Sequence, residues 1–156
     1  YGGRREVMGC VAPLGGVYQA GTLSGNRVAM KMGLNTLNYL SMHPEIYDIL
    51  EARAITLQEG MMERFNNYGI KAQVNRVGSL VSVFFHDGPV RSYSDVQASD
   101  SAMFRRYFNA MMAGGVLLPP APYEALFLSL AHTEEIISRI LQVHDQALSQ
   151  LAFREE

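Results

Sequence analysis

The sequence has 156 residues, of which 48% are hydrophobic and 18% charged, so it can bury one sizeable core or two small ones. Its formal net charge of −2 gives no electrostatic reason to expect nucleic acid or an anionic membrane as a partner. No apolar run is long enough to cross a bilayer, and we expect a cytoplasmic protein. The single cysteine, Cys10, excludes an internal disulfide and fits a reducing compartment. We expect Cys10 to be a packed small residue.

The first predicted elements are a glycine-rich loop over residues 11–26 and a helix from Asn26 to about Leu40. Asn26 is a favourable N-cap, and Thr22 and Ser24 place two hydroxyls close to the positive end of the helix dipole. Such a loop suits a phosphate or another anion. The same residues also make an ordinary turn followed by a helix cap, so both interpretations stay open.

A second, longer helix is predicted to open at Pro44 and to stop at Gly69. Its apolar side chains recur every three or four residues, which is the helical period. They are Ile46, Leu50, Ala54, Leu57, Met61, Phe65 and Tyr68. A long helix with one apolar face is well suited to joining two domains.

From about residue 70 the pattern changes to strands alternating with helices. Residues 77–85 are rich in valine and phenylalanine and predict a strand, with Gly78 as a possible point of close approach. Ser99 or Asp100 is expected to cap a helix that ends near Gly114. Its aromatic residues should face the core and its arginine pair the solvent.

The C-terminal part predicts two short strands, at residues 116–118 and 125–131, and a final helix capped by Thr133. Three strands and two or three helices make a small α+β layer sandwich. The four histidines lie too far apart along the chain for a metal-ligand motif, so no metal site is expected.

Eight stretches of the sequence closely resemble the glutamate-1-semialdehyde 2,1-aminomutases, a family within the class III aminotransferase group of pyridoxal-phosphate enzymes. They keep the order and spacing of that family and cover residues 2–8, 11–26, 29–37, 73–85, 87–91, 98–100, 124–125 and 127–133. The resemblance implies a C-terminal α+β fragment of a fold type I pyridoxal-phosphate-dependent transferase. Residues 1–43 would then end the large cofactor-binding domain. Residues 44–69 would form a connecting helix, and residues 70–156 a small C-terminal α/β sandwich with a three-stranded sheet.

The resemblance also implies site residues. Gly21 and Thr22 match the Gly-Thr pair that binds the cofactor phosphate across the dimer interface in this family. Glu124 matches a glutamate near the substrate, although an exposed carboxylate at a strand end stays an alternative. His132 and Thr133 match a family signature, with a capping role at least as well supported as a catalytic one.

The family's cofactor lysine has no counterpart among the two lysines of this sequence. Lys31 falls within a predicted helix and Lys71 at a polar break, whereas the family's lysine follows a buried strand in a glycine-rich turn. We therefore expect no catalytic residue in this chain, which should be inactive by itself.

For the complete protein, the resemblance implies a homodimer that uses pyridoxal 5'-phosphate and pyridoxamine 5'-phosphate. It would convert the small molecule glutamate-1-semialdehyde to 5-aminolevulinate, the tetrapyrrole precursor, by internal transamination. Two alternatives remain. One is a class III aminotransferase with another substrate, and the other is a non-catalytic module that serves dimerisation.

Overall fold

A computed structural model describes residues 1–152 of the chain. The last four residues of the predicted small domain, 153–156, lie outside the described residues. The chain divides into two compact units, a first unit of Tyr1–His43 and a second unit that begins at Pro44. No helix among residues 1–152 is long and apolar enough to cross a membrane.

The first unit contains two helices, α1 (Arg5–Met8) and α2 (Arg27–Met42), joined by the glycine-rich loop. The side chain of Asn26 caps α2, as predicted from the sequence. Neither helix contains a buried residue. The expectation that Cys10 is packed is therefore wrong: Cys10 is exposed, because the one-turn helix α1 provides no core to cover it.

The second unit begins with the long helix α3 (Glu45–Asn67). It ends where predicted, since Gly69 takes a φ of +66° and donates its amide to Asn66. The apolar stripe read from the sequence is its buried face, which consists of Ile46, Ala54, Leu57, Met61 and Phe65. This face lies in the core of the second unit, and the predicted role of 44–69 as a connector between two domains stays a prediction.

The strand predicted at residues 77–85 is confirmed only in part: residues 80–84 form a strand, but residue 77 ends the preceding strand and residues 78–79 form the turn of a hairpin. Strands β1 (Gln73–Val77) and β2 (Leu80–Phe84) pair antiparallel, with Val77 opposite Leu80. Gly78 opens the two-residue loop with a φ of +55°, a conformation that suits glycine. A Cβ atom at Gly78 would meet no atom within 4 Å, so Gly78 is a turn residue and not a point of close approach.

Two helices follow the hairpin: α4 (Tyr93–Ala98), which was not predicted from the sequence, and α5 (Ser101–Ala113). Ser92 and Asp95 form a capping box on α4. Asp100, one of the two predicted caps, accepts the amides of Ala102 and Met103 at the start of α5.

The third strand is β3 (Leu126–Phe127), which pairs antiparallel with β2 and completes a three-stranded sheet of order β1-β2-β3. The strand predicted at 116–118 is wrong, because the Val116 amide instead donates to the Met111 carbonyl near the end of α5. The strand predicted at 125–131 is shorter than expected, since the chain turns again at Ser129, where the carbonyl accepts the His132 amide.

The last helix, α6 (Glu134–Ala152), packs against both α3 and α5. The core of the second unit lies between these helices and one face of the sheet. Its largest fully buried side chains are Tyr107, Phe65, Met61, Met111, Ile137, Leu148 and His144. The predicted three-stranded α+β layer sandwich is therefore confirmed, although its strands differ from those expected.

Candidate functional site

The segment predicted to bind an anion forms a tight turn in the first unit. The Ser24 amide donates to the Gly21 carbonyl at 3.0 Å, and the Asn26 amide donates to the Leu23 carbonyl at 3.0 Å. Gly25, which precedes Asn26 in this turn, takes a φ of +73°, a conformation that suits glycine and lets the chain reverse direction just before α2. Thr22 lies within this turn and is exposed.

Asn26 occupies the start of α2. Its side-chain oxygen accepts the amides of Val28 at 3.1 Å and Ala29 at 3.0 Å. These residues therefore form a turn followed by a helix cap, as one of the two interpretations of the sequence predicted. Two amides at the start of α2 are therefore already bonded to Asn26. An anion at this turn would take its hydrogen bonds from the Thr22 hydroxyl and the amides of the turn.

The charge content of the segment that contains the turn favours an anion. No acidic residue occurs between Glu6 and Glu45, and the basic residues of that interval, Arg27 and Lys31, both lie on α2. The Thr22 hydroxyl makes no hydrogen bond with any residue of 1–152, so it is available to donate to a ligand. The exposed hydroxyl, the excess of basic side chains and the positive end of the α2 dipole fit a phosphate group.

One feature of this turn was not foreseen from the sequence. The Ser24 side chain lies directly over Gly21, and a Cβ atom at Gly21 would overlap the Ser24 hydroxyl oxygen. Only glycine therefore fits at this position without a shift of Ser24. The spacing of three residues between Gly21 and Ser24 is compatible with a turn. It does not predict where the Ser24 side chain lies, because a turn of this kind allows several side-chain rotamers.

Glu124 belongs to the second unit. It is exposed and lies two residues before β3, at the end of a turn in which its amide donates to the Ala121 carbonyl at 3.3 Å. The neighbouring Tyr123 contacts Tyr93 of α4, with ring centroids 6.2 Å apart. The position of Glu124 next to a substrate stays a prediction.

An open groove of about 560 Å³ lies beside β3 in the second unit. Its lining is mainly apolar and includes Val116, Leu118, Leu126, Leu128 and Ile140, with His132 and Arg139 as its titratable residues. Glu124 is not part of this lining. The groove therefore does not bring Glu124 together with His132 for acid–base chemistry.

His132 and Thr133 both have structural partners. The Thr133 hydroxyl accepts the Ile136 amide at 3.4 Å and so caps α6, while His132 Nδ1 accepts the Ser129 amide at 3.0 Å. The guanidinium of Arg53 also donates to the Leu130 carbonyl at 3.0 Å, which ties this turn to α3. These bonds support the capping interpretation of the pair.

The two lysines lie in solvent. Lys31 is exposed on α2, and Lys71 Nζ lies 2.7 Å from the Asp87 carboxylate, with both side chains of that pair at least 70% exposed. A nucleophilic lysine is usually activated by an apolar pocket or a neighbouring cation. Neither lysine has such surroundings among the described residues.

No family model matches the chain. Curated relatives that match it at 43–48% identity are named glutamate-1-semialdehyde 2,1-aminomutase. The relative from Clostridium novyi is 46% identical over 151 residues, which are 97% of this chain and 35% of that protein. The chain thus spans about a third of the length of the curated relatives it matches.

Solved structures with the same fold are pyridoxal-phosphate-dependent aminotransferases. A beta-phenylalanine aminotransferase from Variovorax paradoxus matches 98% of this chain with a TM-score of 0.75 and 27% identity, over 35% of its own length. A transaminase with PLP bound matches 97% of this chain with a TM-score of 0.72 and 20% identity, over 34% of its own length. The predicted fold class, a part of a pyridoxal-phosphate-dependent transferase, is confirmed.

Proposed function

We propose that this chain, whose sequence places it among the glutamate-1-semialdehyde 2,1-aminomutases, is the C-terminal third of such an enzyme. The complete protein would convert glutamate-1-semialdehyde to 5-aminolevulinate for tetrapyrrole synthesis. The observation that carries this proposal is the 46% identity to a protein of that name over 97% of the chain. The activity belongs to the complete protein, because the lysine that binds the cofactor is expected outside this chain.

The cofactor would be pyridoxal 5'-phosphate, alternating with pyridoxamine 5'-phosphate. When bound, it supplies an electron sink and a carrier for the amino group. The solved transaminase with PLP bound, which has the same fold, supports this choice. This chain would contribute the Gly21–Thr22 turn, whose hydroxyl and amides donate hydrogen bonds to the phosphate in the active site of the partner subunit.

The role proposed for Thr22 is binding and orientation. A hydrogen bond to a charged phosphate contributes roughly 1.5–3 kcal/mol, which corresponds to about one to two powers of ten in cofactor affinity. The absence of acidic residues from 7–44 means that no fixed negative charge of this segment repels the phosphate. Glu124 would lie near the substrate and pair with an arginine outside this chain.

A homodimer in the cytoplasm completes the proposal. The first unit exposes many large apolar side chains, among them Leu14, Leu23, Val28, Leu37 and Met42, each at least 67% exposed. Such an apolar surface is typical of an interface with another subunit or domain. We place the dimer contact on this unit, because Thr22 must reach the partner's active site.

The test is an assay of the complete protein with glutamate-1-semialdehyde and no external amino donor. An aminomutase returns the amino group to the same carbon skeleton, so 5-aminolevulinate should form without a second amino compound. An aminotransferase of another specificity, which the Variovorax structure favours as the second candidate, needs an external donor and acceptor. Formation of product only in the presence of such a donor would replace the first proposal with the second.

A further inference from the structure

Ser24 lies against Gly21, the first residue of the proposed phosphate-binding pair. Its amide closes the turn onto the Gly21 carbonyl, and its hydroxyl oxygen occupies the space that a side chain at Gly21 would fill. The hydroxyl therefore lies beside the first residue of the pair proposed to bind the phosphate.

A serine just before a helix usually caps it, but in α2 another residue is the N-cap. Asn26, and not Ser24, accepts the amides of the first turn of α2. The Ser24 hydroxyl makes no hydrogen bond with any residue of 1–152, and the residue is exposed. Ser24 thus presents a free donor on the same turn as the free donor of Thr22.

The segment of chain around Ser24 carries no acidic group that would repel an anion. Its neighbours along the chain from Val7 to Pro44 include no carboxylate, and Arg27 follows three residues later at the first position of α2. Two hydroxyls within three residues can each donate to a different oxygen of one phosphate, because a phosphate dianion offers several acceptor oxygens.

We propose that Ser24 supplies a second hydroxyl to the cofactor phosphate, beside Thr22. Gly21 is required in this arrangement because a side chain there would displace the Ser24 oxygen. The inference rests on the proposed function, since the phosphate is that of the proposed cofactor.

The experiment uses the complete apoprotein and compares two ligands, pyridoxal 5'-phosphate and pyridoxal, which lacks the phosphate. Ser24→Ala removes the hydroxyl and keeps the Cβ atom that packs on Gly21. We expect the dissociation constant for pyridoxal 5'-phosphate to rise about tenfold, or 1.4 kcal/mol. The dissociation constant for pyridoxal should stay unchanged. Ser24→Thr, which keeps a hydroxyl, should retain most of the affinity.

Equal weakening of both ligands, or a loss as large in Ser24→Thr as in Ser24→Ala, would show that the Ser24 hydroxyl is not a donor to the phosphate, and either result would overturn the inference. Circular dichroism of each apoprotein checks that the variant is folded. Thr22→Val, measured in parallel, distinguishes a failure of the Ser24 inference from a failure of the proposed phosphate site. If Thr22→Val weakens only pyridoxal 5'-phosphate while Ser24→Ala has no effect, the inference fails and the proposed function stands. If neither variant changes the ratio of the two affinities, the phosphate site itself is wrong.

Discussion

At the scale of single residues, His144 and Tyr107 form a hydrogen-bonded pair inside the core of the second unit. Tyr107 Oη lies 2.8 Å from His144 Nδ1, and His144 Nε2 lies 3.3 Å from the Met61 carbonyl oxygen. Because the carbonyl can only accept, Nε2 must carry the proton and Nδ1 must accept from the tyrosine. This arrangement belongs to the neutral imidazole, since a proton on Nδ1 would leave the buried Tyr107 O–H without its acceptor.

Burial lowers the pKa of His144 from 6.5 to about 4, an effect that the Arg64 charge increases and that the Met61 carbonyl and the Asp145 charge oppose. The unfolded chain therefore binds a proton near pH 6.5 and the folded chain does not until about pH 4. We predict that the free energy of unfolding of the second unit is fully present above pH 6.5. It should fall by up to about 3 kcal/mol as the pH decreases toward 4.

Urea unfolding of the chain between pH 7.5 and 4 measures this dependence. His144→Gln should flatten it in that range, since glutamine does not titrate. His86→Gln is the matched control, because His86 is only partly buried and bonds to the backbone of its own loop at Gly88. An equal pH dependence in the His144 variant and the unchanged chain would contradict this explanation.

A second prediction at this scale concerns the two lysines. Incubation of the isolated chain with pyridoxal 5'-phosphate, followed by borohydride, should give no stoichiometric, specific labelling at neutral pH. The reason is that Lys31 is exposed on a helix and Lys71 is paired with Asp87 in solvent. Peptide mapping identifies any labelled residue. Specific, complete labelling of Lys31 would show that this chain holds its own cofactor lysine.

At the scale of elements, the close approach of α5 and α6 depends on Gly114. A Cβ atom at Gly114 would overlap the Cγ1 atom of Val143, which is 1% exposed and stiff because it is β-branched. The backbone of Gly114, with φ −78° and ψ −2°, is open to any residue, so the steric contact alone should decide the effect.

We predict that Gly114→Ala destabilises the second unit by about 1–3 kcal/mol, the usual cost of overpacking. Gly88→Ala is the matched control: its new methyl group would lie no closer than 3.9 Å to another residue, and the change should be small. Chemical denaturation measures both variants. The double variant Gly114→Ala/Val143→Ala should cost less than the sum of the single ones, and strict additivity would show that the two side chains do not collide.

The longer helices α2, α3 and α5 were predictable because their start or stop signals are local, whereas the six-residue helix α4 was not predicted. Asn26 and Asp100 accept the amides that their side chains were expected to cap, and Gly69 stops α3 with a positive φ. The hairpin was not predicted, since an apolar run over residues 77–85 masked a turn at Gly78 whose neighbour Ser79 is a weak turn residue. The sequence located β3 within the strand predicted at 125–131, but it did not show that only two residues pair, because the partner strand β2 is distant in sequence.

The candidate site was predictable only in part. The turn and the cap at Asn26 follow from local chemistry, whereas the placement of the Ser24 oxygen over Gly21 depends on one rotamer of a folded turn. The roles of Gly21, Thr22 and Glu124 were implied by resemblance alone. No periodicity or spacing distinguishes a phosphate-binding threonine from an ordinary exposed one.

At the scale of the whole molecule, the two units differ in how much apolar surface they cover. The second unit closes a core, while the first exposes large side chains that include Leu14, Leu23, Val28, Met32 and Leu37. Burying each of them would contribute about 1.5–3 kcal/mol. We therefore predict that the isolated chain forms a dimer or larger oligomer through the first unit.

Light scattering combined with hydrogen exchange tests this prediction. The double variant Val28→Glu/Leu37→Glu should reduce association, whereas Phe127→Glu, an equally exposed apolar position on the second unit, should not. Protection from exchange should be strong in the second unit and weak in the first. A monomer that is protected uniformly from Gly2 to Ala152 would show that this division of the chain is wrong.

A mixed dimer tests the proposal that Thr22 of one subunit serves the active site of its partner. Both subunits are full-length: one has its cofactor lysine replaced, and the other has Thr22→Val. The mixed dimer is assayed for 5-aminolevulinate formation at limiting cofactor. The mixed dimer contains one site with both groups intact, so it should recover about half the activity of the unchanged dimer. Each homodimer should be weak or inactive. A mixed dimer no more active than the Thr22→Val homodimer would contradict the claim.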